Sequence, residues 1–169
     1  ARIGAVHSLV FGGFSAAALR FRVTDGAAKL LVTTDGQYRR GRSVPVKPNA
    51  DAAVEGVDSV EHVLVVRRTG DDVDWTEGRD VWWHDVVDRQ RAEHDAQAFP
   101  AETPLMLIYT SGTTGTPKGL LHTMGGYLTQ ASWTAWACFD HKPDDVYWCT
   151  ADLAWVTAHT YEVYGPLSN

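Results

Sequence analysis

The apolar run Leu105-Met-Leu-Ile-Tyr109 leads straight into Thr110-Ser-Gly-Thr-Thr-Gly-Thr-Pro-Lys-Gly119. A short apolar run of this kind reads as a buried strand of a parallel sheet. The eleven residues from Tyr109 to Gly119 hold three glycines, five Ser/Thr hydroxyls and one lysine. Glycine lets backbone N–H groups approach an anion, hydroxyls donate further hydrogen bonds, and lysine adds charge. A loop of this composition leaving such a strand is suited to phosphate, and so to a nucleotide.

The rest of the chain alternates in the same way. Strands are expected at Ser8–Phe11, Lys29–Thr33, His62–Val66 and Val146–Cys149. Ser15 reads as the N-cap of a helix to about Arg22. Further helices are expected near Ala50–Val54, over Asp80–Arg91 (apolar at Val81, Trp82, Val86 and Val87), over Met124–Cys138 and over Trp155–Tyr164. A polar, basic loop is expected between Asp35 and Pro48, and a polar connection over Arg68–Gly78. Strands alternating with helices predict an α/β fold with a layered, mainly parallel sheet and flanking helices.

Composition narrows the function. The 169 residues suffice for one domain-sized core. A net charge of −6 argues against a nucleic-acid coat or a polybasic membrane binder. No apolar run is long enough to span a bilayer. Two cysteines, Cys138 and Cys149, form no disulfide framework, which fits a reducing compartment such as the cytoplasm. The chain opens without methionine, as though entered within a helix, and reads as an excerpt from a longer one.

A P-loop NTPase would need Gly-x-x-x-x-Gly-Lys-Ser/Thr, with the last hydroxyl on magnesium. Here Lys118 follows Pro117 and precedes Gly119, so that pattern is not met. A bare flexible loop is the other alternative, but such loops seldom join this density of glycines and hydroxyls to a Pro-Lys-Gly exit. A second cluster, Tyr38-Arg-Arg-Gly-Arg42 with Lys47 nearby, is dense in positive charge for an acidic chain. Taken alone it reads as a solvated loop. Trp155-Val-Thr157, taken alone, reads as ordinary core. His122, His141 and His159 have no metal-ligand spacing with the cysteines, so no metal site is expected. The seven tryptophans read as packing residues.

The glycine loop resembles the signature loop of the adenylate-forming (AMP-dependent) synthetases and ligases. Other blocks extend the resemblance to the acetyl-CoA synthetase branch of that superfamily: Ala1-Arg-Ile-Gly-Ala-Val-His, Ser59-Val-Glu-His-Val-Leu-Val, Asp80-Val-Trp-Trp-His-Asp85, His122-Thr-Met-Gly-Gly-Tyr127 and Tyr147-Trp-Cys-Thr-Ala-Asp152. It runs over essentially the whole chain.

The resemblance implies that residues 1–169 are part of the large N-terminal domain of such an enzyme, without its C-terminal lid. It implies activation of acetate by ATP to acetyl-AMP and transfer of the acetyl group to CoA, with Mg2+ accompanying ATP. Thr110, Ser111, Gly112, Thr113, Thr114, Gly115, Thr116 and Lys118 are the implied phosphate-binding set, with Thr110 and Lys118 the catalytic pair. Arg39, Arg40, Gly41, Arg42 and Thr157 are the implied CoA contacts, and Val156 and Thr157 the implied lining of a small acyl pocket. The family has glycine where this chain has Ala154 and Ala158, so strain is expected there if either position needs positive φ. Propionate or another short acid, or a truncated nucleotide- or CoA-binding module without catalysis, are the alternatives. The isolated piece is expected to complete neither half-reaction. No nucleic-acid or membrane partner is implied, and oligomeric state is left open.

Overall fold

The computed structural model describes every residue except Thr113, Thr114 and Pro143. It divides into two units, Gly12–His94 and the pair of segments Ala1–Phe11 and Asp95–Asn169.

In the Gly12–His94 unit, helix α1 (Ala16–Asp25) starts where the sequence predicts. Ser15 is its N-cap, and the Ser15 hydroxyl accepts a hydrogen bond from the Ala18 N–H. Strands β1 (Leu30–Thr34), β4 (His62–Val66) and β5 (Asp80–Trp82) form a parallel sheet in the order β1-β4-β5. Alternation in β4 buries Val63 and Val65 completely. They meet Val23 of α1 and Val54 of α2 (Lys47–Val54), with Leu19, Leu31, Trp75 and Trp82 packed around them. Each such side chain removed from water contributes about 1.5–3 kcal/mol.

Two expectations change in this unit. The helix predicted over Asp80–Arg91 is shorter: Asp80–Trp82 is the edge strand, and only Trp83–Val87 is helical (α3). The apolar spacing of Val81, Trp82, Val86 and Val87 fits either period over so few residues. Pairing of Val81 with Leu64 and of Trp82 with Val65 decides it. The basic loop is a hairpin of β2 (Gly36–Arg39) and β3 (Arg42–Pro45). Its turn residues Arg40 and Gly41 both have positive φ, 52° and 74°, which matches the right-handed twist of the two strands.

In the other unit, β6 (Pro104–Thr110) is the expected strand, but its long partner is antiparallel. It pairs with β7 (Lys118–Thr123) from Pro104↔Thr123 to Thr110↔Lys118. Parallel pairing of β6 is confined to one bridge, where the His7 N–H donates to the Leu105 carbonyl and the Leu107 N–H to the His7 carbonyl. Ser8–Phe11 forms no strand. Helix α4 (Met124–Phe139) follows β7 directly and sets Tyr127 and Ala131 against Leu105 and Met106. Val146–Cys149, expected as a strand, has no strand partner, and Val146 is 99% exposed. β-Propensity without a neighbouring edge builds no sheet. The chain closes with α5 (Val156–Ala158), a π-helix (His159–Tyr164) and α6 (Gly165–Leu167). The fold is α/β, with a parallel sheet and flanking helices, and carries two antiparallel hairpins in addition. Among the described residues no helix is long and apolar enough to cross a membrane.

Candidate functional site

The glycine loop is the connection of the β6–β7 hairpin. Thr110 and Lys118 are register partners at the end of the ladder, and residues 111–117 span the gap between them. Gly112 has φ +56°, and a Cβ placed there would lie 2.3 Å from the Thr116 carbonyl oxygen, so only glycine fits. Gly115 also has positive φ, +84°. Thr110, Ser111, Gly115, Thr116 and Lys118 are exposed. Thr113 and Thr114 of the expected phosphate set lie outside the described residues. Lys118 opens a strand rather than a helix, so the loop lacks the helix N-terminus on which a Walker loop depends. The donors available to an anion are backbone N–H groups, hydroxyls and one ammonium.

The arginine segment is the tip of the β2–β3 hairpin. Arg39 and Arg42 are register partners, so their side chains leave one face with Cβ atoms about 5 Å apart. Like charges directly opposite each other are unfavourable, and an anion between them reverses the sign. Arg39, Arg40, Arg42, Ser43 and Val44 line an open concavity of about 560 Å³. Arg40 and Gly41 shape the turn.

Lys47, read with this cluster in the sequence, is not part of it. Its side chain is fully buried, and Nζ donates to both Asp51 oxygens (2.7 and 2.9 Å), to Asp80 Oδ2 (2.8 Å) and to the Asp74 carbonyl (3.2 Å). Arg79 Nε donates to Asp80 Oδ1 at 2.6 Å and completes the cluster. Burial alone would raise the Asp80 pKa, but hydrogen bonds from Arg79 and Lys47 hold it below the ordinary carboxylate value.

Asp35 was visible in the sequence only as a turn residue. Its carboxylate is buried, with Oδ1 accepting from the N–H groups of Gly36 (2.7 Å), Arg68 (2.7 Å) and Thr69 (3.1 Å) and Oδ2 from that of Gly70 (2.8 Å). Burial acts to raise its pKa, yet these donors outweigh it and lower the value to about 2. An aspartate between a strand and a glycine was the one available signal, because short acidic side chains bond nearby backbone N–H groups.

The third segment sits where α5 meets the π-helix. Val156 and Thr157 are exposed, whereas Ala158 is completely buried. Ala158 has φ −69° and ψ −43°, and among the described residues only Ala27, Arg40 and Asp140 are non-glycines with positive φ. Neither Ala154 nor Ala158 therefore carries the strain considered for them. The π-helix is wider than an α-turn and is often found at functional sites. Thr160 Oγ1 donates to the Val156 carbonyl at 2.8 Å and shares a 2.7 Å hydrogen bond with the Tyr127 hydroxyl. His159 is buried, its Nδ1 3.1 Å from the Trp155 carbonyl and its ring stacked on His7 at 5.8 Å. It is a satisfied core histidine. Burial, then His159, keep the His7 pKa below the usual imidazole value. Among the described residues no group of three or more His, Cys, Asp or Glu could hold a metal ion.

These features meet a family pattern that spans the chain. The profile described as AMP-binding enzyme matches residues 1–169, and the chain belongs to that family. Among individual relatives, it is 64% identical over 170 residues to a protein of Streptomyces avermitilis named acetyl-coenzyme A synthetase. It is 62% identical to the proteins of the same name from Streptomyces coelicolor and Mycolicibacterium smegmatis. The whole of this chain is covered in all three, against 26%, 26% and 18% of the relatives. The chain thus spans about a quarter or less of the length of the curated relatives it matches.

Proposed function

We propose that this chain is part of the N-terminal domain of an AMP-forming acetate–CoA ligase. The whole enzyme condenses acetate with ATP to acetyl-AMP and pyrophosphate, and CoA thiol then displaces AMP to give acetyl-CoA. Identity of 64% across the full length of the chain to a protein named acetyl-coenzyme A synthetase is the observation that carries the reading.

Thr110–Lys118 is the segment proposed to hold the β- and γ-phosphates of MgATP. The magnesium enters with the nucleotide, since hydroxyls and backbone N–H groups in this loop suit phosphate oxygens and supply no carboxylate ligand. Charge grows on departing pyrophosphate, and donors held in place stabilise it most where it grows. The fixed φ of Gly112 supports such preorganisation. Arg39 and Arg42, flanked by Arg40 and Gly41, are proposed to take CoA phosphates, supported by their side-by-side register and open concavity. Val156 and Thr157 are proposed to line a pocket for a two-carbon acid, with Thr157 also near the CoA arm. A cytoplasmic enzyme acting on small molecules follows from the same reading.

Acid-dependent exchange of labelled pyrophosphate into ATP, in a full-length ligase carrying these residues, tests the first half-reaction. Acetate should support exchange best among short acids, and CoA should then release AMP. Exchange with propionate but not acetate would replace the acid. No exchange with any short acid would sink the reading.

A further inference from the structure

The arginine hairpin is a two-stranded sheet of its own, and most of its residues, Arg39 to Pro45 included, are exposed. Something other than its own packing must hold it in place. Both of its ends meet at one residue. The Asp35 carboxylate accepts the N–H of Gly36, the first residue of β2, at 2.7 Å. The Asp35 carbonyl accepts the N–H groups of Val46 (3.1 Å) and Lys47 (3.3 Å), just beyond the end of β3. The Asp35 N–H is itself tied to the Val66 carbonyl at 3.1 Å, at the end of β4.

The same carboxylate organises a neighbouring loop. Arg68, Thr69 and Gly70 all turn their N–H groups onto it, at 2.7 to 3.3 Å. That loop reaches back to the hairpin. Asp71 accepts hydrogen bonds from the Ser43 hydroxyl on β3 and from the Thr69 hydroxyl, and the Arg68 guanidinium lies 5.8 Å from the Tyr38 ring centre on β2. A Cβ at Gly36 would sit 2.5 Å from Thr69 Oγ1 and 2.8 Å from Asp71 Oδ2, so loop and hairpin base are in close contact.

We propose that Asp35 is the positioning residue of the arginine hairpin. Its carboxylate holds the start of the hairpin at Gly36 and the 68–71 loop that clasps it, its main-chain carbonyl adds the rung beyond β3, and the carboxylate so fixes where Arg39 and Arg42 present their guanidiniums. Asp35 is buried and does not touch the ligand; it acts through the backbone. The inference rests on the reading of Arg39 and Arg42 as contacts to CoA phosphates. Misplacing two fixed charges by an ångström is enough to lose much of a phosphate contact, and ordering effects of this kind reach about a hundredfold.

The test uses Asp35→Asn in a full-length ligase, which keeps the shape and removes the charge that four N–H groups share. The expected result is a rise of about five- to twentyfold in the apparent KM for CoA, in line with such misplacement. The turnover number and the apparent KM for ATP should stay within about twofold, since ordinary structural damage would move all three. Arg39→Gln/Arg42→Gln is measured alongside. If the double variant raises the KM for CoA and Asp35→Asn does not, the positioning inference fails and the CoA reading stands. If the double variant leaves that KM unchanged, the CoA reading fails and takes the inference with it. If Asp35→Asn does not fold, Asp71→Ala decides, because it removes the oxygen that holds Ser43 and Thr69 and so unclasps the 68–71 loop from the hairpin while leaving Asp35 in place. The same selective rise supports the inference, and no rise overturns it.

Discussion

Thr110 and Lys118 face each other across the last rung of the β6–β7 ladder, so the glycine loop leaves and re-enters the sheet at adjacent points. Lys118 is therefore carried on a strand, its backbone fixed by the ladder. On the proposed reading, its ammonium makes a charge-assisted hydrogen bond worth about 1.5–3 kcal/mol. Lys118→Ala should slow pyrophosphate exchange by a factor of about ten to a hundred with little loss of stability. Wild-type exchange in the variant would remove Lys118 from the first half-reaction.

Gly112 and Gly115 share a left-handed backbone but not the same surroundings. A Cβ at Gly112 meets the Thr116 carbonyl at 2.3 Å, whereas one at Gly115 meets nothing within 4 Å. Alanine at Gly115 costs only the conformational strain, about 1–2 kcal/mol. Alanine at Gly112 adds a clash with backbone that must move. Exchange rates should fall in the order wild type, Gly115→Ala, Gly112→Ala, and equal rates for the two variants would contradict the geometry.

Lys47 has no exposed surface, and two carboxylates depend on it. Lys47→Met should destabilise the protein by about 3–5 kcal/mol, because Asp80 then stays buried with only Arg79 as a charged partner. Urea denaturation measures this directly. Adding Asp80→Asn should cost less than the sum of the two single changes, as expected for groups in contact. Strict additivity would mean that the pair is not coupled.

Asp35 gives the stability a recognisable acid limb. Its pKa is lowered from 3.8 to about 2, so the unfolded chain binds the proton more tightly than the folded one. The stabilisation is therefore complete above about pH 4 and disappears as pH falls through about 2, with a total of about 2 kcal/mol. Unfolding midpoints taken between pH 2 and 5 should fall more steeply for wild type than for Asp35→Asn. Parallel curves would show that the carboxylate is not held in this way.

Signals confined to a few neighbouring residues were legible in the sequence. Ser15 capped its helix, His62–Val66 formed the strand with the bounds expected, and the Met124 helix and the glycine loop were found where the pattern put them. What was hidden depended on partners distant in sequence. Nothing local in Lys118–Thr123 says that it returns antiparallel to β6, and nothing in Asp80–Trp82 says that β4 will claim it as an edge strand. The basic loop looked solvated because four arginines and lysines lie within nine residues, and polarity conceals a hairpin whose ladder is made of backbone. Lys47 shows the limit most clearly. Its charge placed it with the arginines, while the acids that bury it are supplied by α2 and by β5, the latter 33 residues on. The candidate sites were legible as chemistry, and their architecture was not.

The opposed pair Arg39 and Arg42 has an experimental signature of its own in ionic strength. Added salt screens the repulsion between the two guanidiniums and should make the empty hairpin slightly firmer. The same salt weakens the attraction of both arginines for a polyanion. One titration with sodium chloride should thus move hydrogen-exchange protection of Gln37 and Val44, a hydrogen-bonded pair of the ladder, upward while CoA affinity moves downward. An ordinary solvated loop has no reason to link those two responses with opposite signs.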